Sequence, residues 1–379
     1  MIRHTLCLFV LIPVLLKSEY SWERSSAELL VQDGIYALYN YEFDNAIVQF
    51  DSALKIDDSH PVIPFVLISA KWLKTQTEQG YDASYKVINK EVDSTIPIYR
   101  KLIKGYPDDS EMVLYLGSTY GLRARTAMAD KDWLGVFYFG YKGLKYIREA
   151  QNIDSQLLDV YMPIGLMEYF ACLSPAPVQW GAKFVGLSAS CEQGLRYLEI
   201  AAKQSHYSWI EASNVLTYAY LHIERDYIKA EEIISRLVEN FPGHPYFSFM
   251  QGELLVKTKQ WEKLEELMPK LKGFAASGPF HQQNECQLKL VYIQALKAFY
   301  HGNYSLSIEK CDWMLSNYYM EFDWLKGFSH SLKGKSYEMM DELELAIKDY
   351  KEVLEMDAYY PEVEESRKKI IEIGERSIN

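Results

Sequence analysis

The stretches Arg225-Asp226-Tyr227-Ile228-Lys229-Ala230 and Lys259-Gln260-Trp261-Glu262-Lys263-Leu264 repeat one pattern 34 residues apart. Two polar residues precede an aromatic, and a small or aliphatic residue follows three positions later. The pattern recurs at Tyr41-Glu42-Phe43 with Ala46, at Lys131-Asp132-Trp133 with Val136, and at Gly302-Asn303-Tyr304 with Ser307. A variant, Asp341-Glu342-Leu343 with Ala346, carries leucine in place of the aromatic. Apolar residues recur with a period near 3.6 after each occurrence, and strand-like alternation is absent, so each marks a turn into an amphipathic helix. A fixed turn repeated between helices is the sequence form of a helical solenoid.

Working outward, Tyr218 and Gly252 keep the same 34-residue step, whereas Leu264 to Ser307 takes 43 and Ser307 to Ala346 takes 39. The first pair, about Ala27–Ile56, sets Gly34 against Ala46, Phe50 and Ala53. The last, Gly327–Met356, repeats the scheme with Gly334, Tyr337, Ala346 and Tyr350. Glycine inside a helix costs about 1 kcal/mol against alanine, so its recurrence at facing positions predicts a close helix approach that offsets the cost.

These stretches, together with Ala230-to-Pro242 and Gly252-to-Leu271, resemble the tetratricopeptide repeat superfamily, and the layout is similar to exported bacterial proteins of that kind. The resemblance implies an all-α, right-handed α-α superhelix, a TPR-like solenoid of about eight antiparallel helix pairs. Pro242, Pro107 and Pro361 fall where helices are expected to stop. Glu362–Ser377 reads as a charged capping helix, the polar end a solenoid needs for solubility. The family's tryptophan near the start of the first helix is missing here.

Three regions follow. Residues 1–20 read as a signal peptide or N-terminal hydrophobic anchor, because Arg3 and His4 precede a short apolar run from Leu6 to Leu16. Residues 21–205 hold irregular TPR-like pairs interrupted by a Pro/Gly loop at 173–190, in which Pro175 and Pro177 break the helix. Residues 206–379 hold more regular repeats and the cap. The first region implies export, periplasmic or membrane-associated on the periplasmic side. Cys172 and Cys191 flank one loop, so a disulfide fits an oxidising compartment. Buried free thiols are nevertheless the expectation for them as for Cys286 and Cys311.

The 379 residues carry a net charge of −12 without a basic cluster, which excludes a nucleic-acid partner. No phosphate loop, nucleophile elbow or metal-binding helix motif is present. His222, His244, His281 and His301 stand without partners at ligand spacing, so no catalytic residue, cofactor or metal is expected. Arg123, Arg125 and Glu168 sit on apolar helices and are expected to pair with each other, the alternative being a polar contact for a ligand inside the groove.

In the superfamily the first helix of each pair lines the concave surface, which carries that face onto His222, Tyr246, Phe249, Glu253, Lys257, Tyr292, Phe299 and Lys335 here. These residues and Trp180 of the loop are the candidate partner contacts, an aromatic surface with a few charges that suits a protein or peptide. The superfamily's peptide clamp uses lysines and asparagines. Val215, Phe249 and Tyr292 stand at the matching positions, so that activity is not implied. The expected role is a non-catalytic protein- or peptide-binding scaffold of the cell envelope. The alternative is a carrier holding a lipid or other apolar molecule in the groove.

Overall fold

The computed structural model describes residues 11–376, with side chains from 25 to 375. At all six turns the first residue of the motif adopts the left-handed conformation, with φ of 65° at Tyr41, 57° at Lys131, 54° at Arg225, 58° at Lys259, 76° at Gly302 and 61° at Asp341. This residue ends one helix, and the second motif residue reaches back across it. The amide of Glu42 donates to the Ala37 carbonyl (2.9 Å), that of Gln260 to Leu255 (2.8 Å), and that of Glu342 to Tyr337 (2.9 Å). The amide of the left-handed residue closes the inner ring, as Lys259 does on Val256 at 3.0 Å. Both bonds satisfy carbonyls that a helix end leaves open. The second motif residue is also the N-cap of the next helix. Asp132, Asp226 and Asn303 accept from the amides of Gly135, Lys229 and Leu306. One tripeptide therefore stops a helix and starts the next.

The chain divides into two compact units, Met1–Gln76 with Asp82–Val160, and Thr77–Tyr81 with Tyr161–Asn379. The helices in order are α1 (Leu11–Tyr39), α2 (Phe43–Ile56), α3 (Ile63–Gln79), α4 (Tyr81–Gly105), α5 (Ser110–Ala129) and α6 (Trp133–Ile153). After a short turn at Leu158–Val160 come α7 (Tyr161–Leu173), α8 (Ala176–Phe184), α9 (Cys191–Gln204), α10 (Trp209–Tyr218) and α11 (Tyr227–Asn240). The series ends with α12 (Pro245–Lys257), α13 (Trp261–Ala276), α14 (Phe280–Tyr300), α15 (Tyr304–Ser316), α16 (Trp324–Met339), α17 (Leu343–Val353) and α18 (Pro361–Arg376). Among the described residues there is no strand. Among the described residues the fold is the expected all-α solenoid: eight antiparallel pairs, with α8 inserted into the pair α7/α9 and α18 as the cap. The first ten residues lie outside the described part. No helix within that part is long and apolar enough to cross a membrane.

The glycines do what their spacing implies. A Cβ on Gly34 would stand 2.4 Å from the Phe50 ring, and one on Gly334 would stand 2.6 Å from the ring of Tyr350. Both rings are fully buried. Gly194 of α9 is tighter, because a Cβ there would lie 2.6 Å from the Tyr169 backbone nitrogen on α7. Backbone cannot swing aside as a side-chain tip can. Gly194→Ala is accordingly expected to lower stability by about 2 kcal/mol, read by thermal unfolding with the disulfide intact. A variant as stable as the parent would show that α7 and α9 are further apart.

Four local expectations are corrected. Residues 173–190 contain a helix, α8. Pro175 is its N-cap and Pro177 falls in its first turn, where proline's missing N–H is no loss. Cys172 and Cys191 form a disulfide, while Cys286 and Cys311 are free and buried. Arg123, Arg125 and Glu168 each find a partner within their own unit. Arg123 lies 3.8 Å from Asp93 and Arg125 stacks on Trp72, whereas Glu168 accepts hydrogen bonds from the amide and hydroxyl of Ser188, both at 2.8 Å. Pro361 opens α18 instead of stopping α17.

Candidate functional site

Within the second unit, α10, α12, α14 and α16 bring one row of side chains together. The Tyr218 ring meets Trp324 edge-on at 5.8 Å, and the hydroxyls of Tyr218 and Tyr360 share a hydrogen bond. His222 stands in a π-helical turn, Ala219–Ile223, between Trp324 (5.4 Å) and Phe328 (5.2 Å). Arg225, just beyond that turn, pairs with Glu362 (2.9 Å) and Glu365 of α18, and Lys335 reaches Glu365 at 3.0 Å. The inner face of this unit is thus closed by its own cap.

The charges inside are compensated unevenly. Glu253 lies 2.8 Å from the Lys257 ammonium and 3.5 Å from His222 Nδ1, all three nearly buried. Burial pushes the Glu253 carboxyl up, but Lys257 and the other nearby cations outweigh it and hold it below the usual carboxylate range. Burial pushes His222 down to about 3, against the pull of Glu253, so the ring is neutral. Its Nδ1 makes no hydrogen bond. Glu285 accepts from Tyr246 at 2.6 Å and from Tyr81, and burial raises its carboxyl. One turn further along α14, the Lys289 ammonium lies 4.9 Å from the Trp324 ring centre and 5.4 Å from that of Tyr246. Among the described residues no carboxylate comes within ion-pair distance of it, and burial lowers its pKa. Ring faces stabilise this cation in place of an acid.

Of the residues expected on this face, Tyr246, Glu253, Lys257 and Lys335 belong to the network, together with His222. Phe249 and Tyr292 are buried in the apolar core with Val256, Leu288 and Leu325. Phe299 packs edge-on against Tyr300 and Tyr304. Trp180 stands elsewhere, on α8. Sequence reasoning missed Glu285, Lys289, Tyr218, Arg225 and Trp324. The first two were within reach, since they lie seven and three residues before Tyr292 on the same helical face. Among the described residues no group of three or more His, Cys, Asp or Glu is placed to hold a metal ion.

The helix α8 differs from all of this. The Cys172–Cys191 disulfide and the Glu168–Ser188 bonds tie the chain on both sides of it, and Gln179 donates to the carbonyls of Cys172 and Ser174, both at 2.9 Å. None of its side chains is buried, and Trp180 and Phe184 are 69% and 89% exposed.

Neither a protein-family model nor a curated protein sequence matches the chain. Solved structures that overlap it include the following three. A human IFIT1 dimer with PPP-AAAA is 13% identical over 84% of this chain and 69% of that one, with a TM-score of 0.39. Yeast Tom70 is 10% identical over 93% and 89%, with a TM-score of 0.36. The TPR domain of P58(IPK) is 12% identical over 93% and 99%, with a TM-score of 0.26.

Proposed function

We propose that this chain is a non-catalytic scaffold of the cell envelope that binds a protein partner through α8. The observation that carries the reading is a short helix with exposed Val178, Trp180 and Phe184, fixed at its base by a disulfide and a carboxylate. Large apolar side chains exposed on a fixed element mark interaction sites. Pre-ordering removes part of the entropy cost of association. The partner's complement is an apolar groove wide enough for an indole. The disulfide supports an oxidising compartment. The carrier reading has less support, since Phe249 and Tyr292 are spent on the core.

Replacing Trp180 and Phe184 with serine together is expected to weaken capture of the crosslinked partner in the native host about a hundredfold, with the melting temperature unchanged. Undiminished capture by the folded variant sinks the assignment to α8. Alkylation of the protein taken from its host, before any reduction, reads the cysteine pair, and free thiols there remove the support for export.

A further inference from the structure

We infer that the outer face of α6 docks on the surface of an anionic lipid bilayer. This rests on the first unit alone and is independent of the reading of α8. The second helix of a pair ordinarily turns charge to solvent, as α13 does with Glu262, Lys263, Glu265 and Glu266. In α6 the corresponding face carries Trp133, Leu134, Phe137, Tyr138 and Tyr141, with Leu134 exposed by 85% and Trp133 by 66%. Their spacing puts them on one ridge over about 12 Å of helix. Gly140 leaves its flank open, with nothing within 4 Å of where a Cβ would stand. A bilayer interface yields to a protruding ridge and favours Trp and Tyr.

Charge points the same way. The chain carries −12 overall, yet α6 holds Lys142, Lys145 and Arg148 against the single acid Glu149. The ammonium of Lys142 lies over the Tyr138 ring at 4.4 Å, which joins the basic tract to the aromatic one. Of the two acids before the helix, Asp132 is engaged as N-cap on the Gly135 amide, and Asp130 is exposed. Basic residues beside an apolar face match anionic headgroups, each adding about 1 kcal/mol near the surface.

The test uses the full chain with Cys7→Ser and a spin label at Leu134→Cys, since of the other cysteines Cys286 and Cys311 are buried and Cys172 and Cys191 are bonded. On mixed phosphatidylcholine–phosphatidylglycerol vesicles the label is expected to gain oxygen accessibility and lose access to an aqueous nickel reagent. Lys145→Glu is expected to weaken partitioning about tenfold on these vesicles and little on pure phosphatidylcholine. Leu134→Ser with Phe137→Ser is expected to weaken it about tenfold or more on both, with helical content unchanged. A label that stays accessible to the aqueous reagent on vesicle-bound protein overturns the proposal, because another segment then makes the contact. Absence of vesicle binding overturns it, and so does a label already shielded without vesicles, which identifies a protein occupant.

Discussion

Lys257→Met is expected to destabilise the second unit by about 3–5 kcal/mol, although methionine preserves most of the packed stem. The Lys257 ammonium sits 2.8 Å from Glu253, with the two side chains 11% and 8% exposed. Removing it leaves a carboxylate whose nearest remaining partner is the neutral ring of His222 at 3.5 Å. A buried charge without a partner incurs its full desolvation penalty. The damage is therefore expected to belong to the charge and not to the lost methylenes. Lys257→Met combined with Glu253→Gln should recover about 2 kcal/mol of it, a positive coupling for residues in contact. The variant also carries a pH signature. With Lys257 gone, burial raises the Glu253 carboxyl above its unfolded value, so protonation favours the folded state and the defect shrinks as pH falls. Urea unfolding at two pH values reads both effects. A single variant within about 1 kcal/mol of the parent at neutral pH, the range of a surface pair, would show that this interior is open to water.

The parts of the fold that were legible in the sequence are those encoded locally. A left-handed residue followed by an N-cap needs only three positions, so Lys259-Gln260-Trp261 announces its turn without reference to anything distant. Gly34 with Phe50 and Gly334 with Tyr350 are nearly as local, because the partners lie within one helix pair. What escaped depends on position within a helix or on curvature. Pro177 reads as a breaker because its type is visible in sequence and its place in a first turn is not. Cys172 and Cys191 flank one loop, which allows their pairing, but with α8 hidden nothing in the sequence decides for the bond over two buried thiols. Tyr218 and Tyr360 lie 142 residues apart, and their approach follows from small rotations accumulated over four pairs. No residue pattern records that sum. The same curvature explains why the inner-face candidates divided. Where the inner helices close on one another, Phe249 and Tyr292 become core, while the charged positions survive as a network.

Acid is expected to weaken the second unit well before its carboxylates titrate. Burial holds His222 and His244 down to about 3, against an ordinary value of 6.5. The groups around His222 divide: Glu253 pulls it up, and Lys257, Lys289 and Arg225 push it down. His244 has a structural reason to stay neutral, since its Nδ1 accepts the Phe247 amide at 3.2 Å as the N-cap of α12. Its ring also lies flat on Phe247 at 3.5 Å. Both folded values lie below the unfolded one, so the unfolded chain binds the extra protons. Stability is then fully present above about pH 6.5 and is lost as pH falls toward about 3. Each histidine should contribute a loss of about 2 kcal/mol by about pH 5, hence roughly 4 kcal/mol for the pair. Glu285 opposes this, because its raised carboxyl takes up a proton in the folded state and offsets part of the loss. Below the ordinary carboxylate range Glu253 adds to the loss, since its folded value is depressed. Two substitutions separate the contributions. His244→Asn keeps a capping oxygen and removes the titration, and His222→Phe keeps a ring between Trp324 and Phe328. Each should flatten the slope between about pH 6.5 and pH 5 by up to one proton, about 1.4 kcal/mol per pH unit. Urea unfolding across that range is the measurement. A parent whose stability does not change over it would mean that both rings protonate in place, with the α12 cap and the stacked His222 far more open to water than their burial allows.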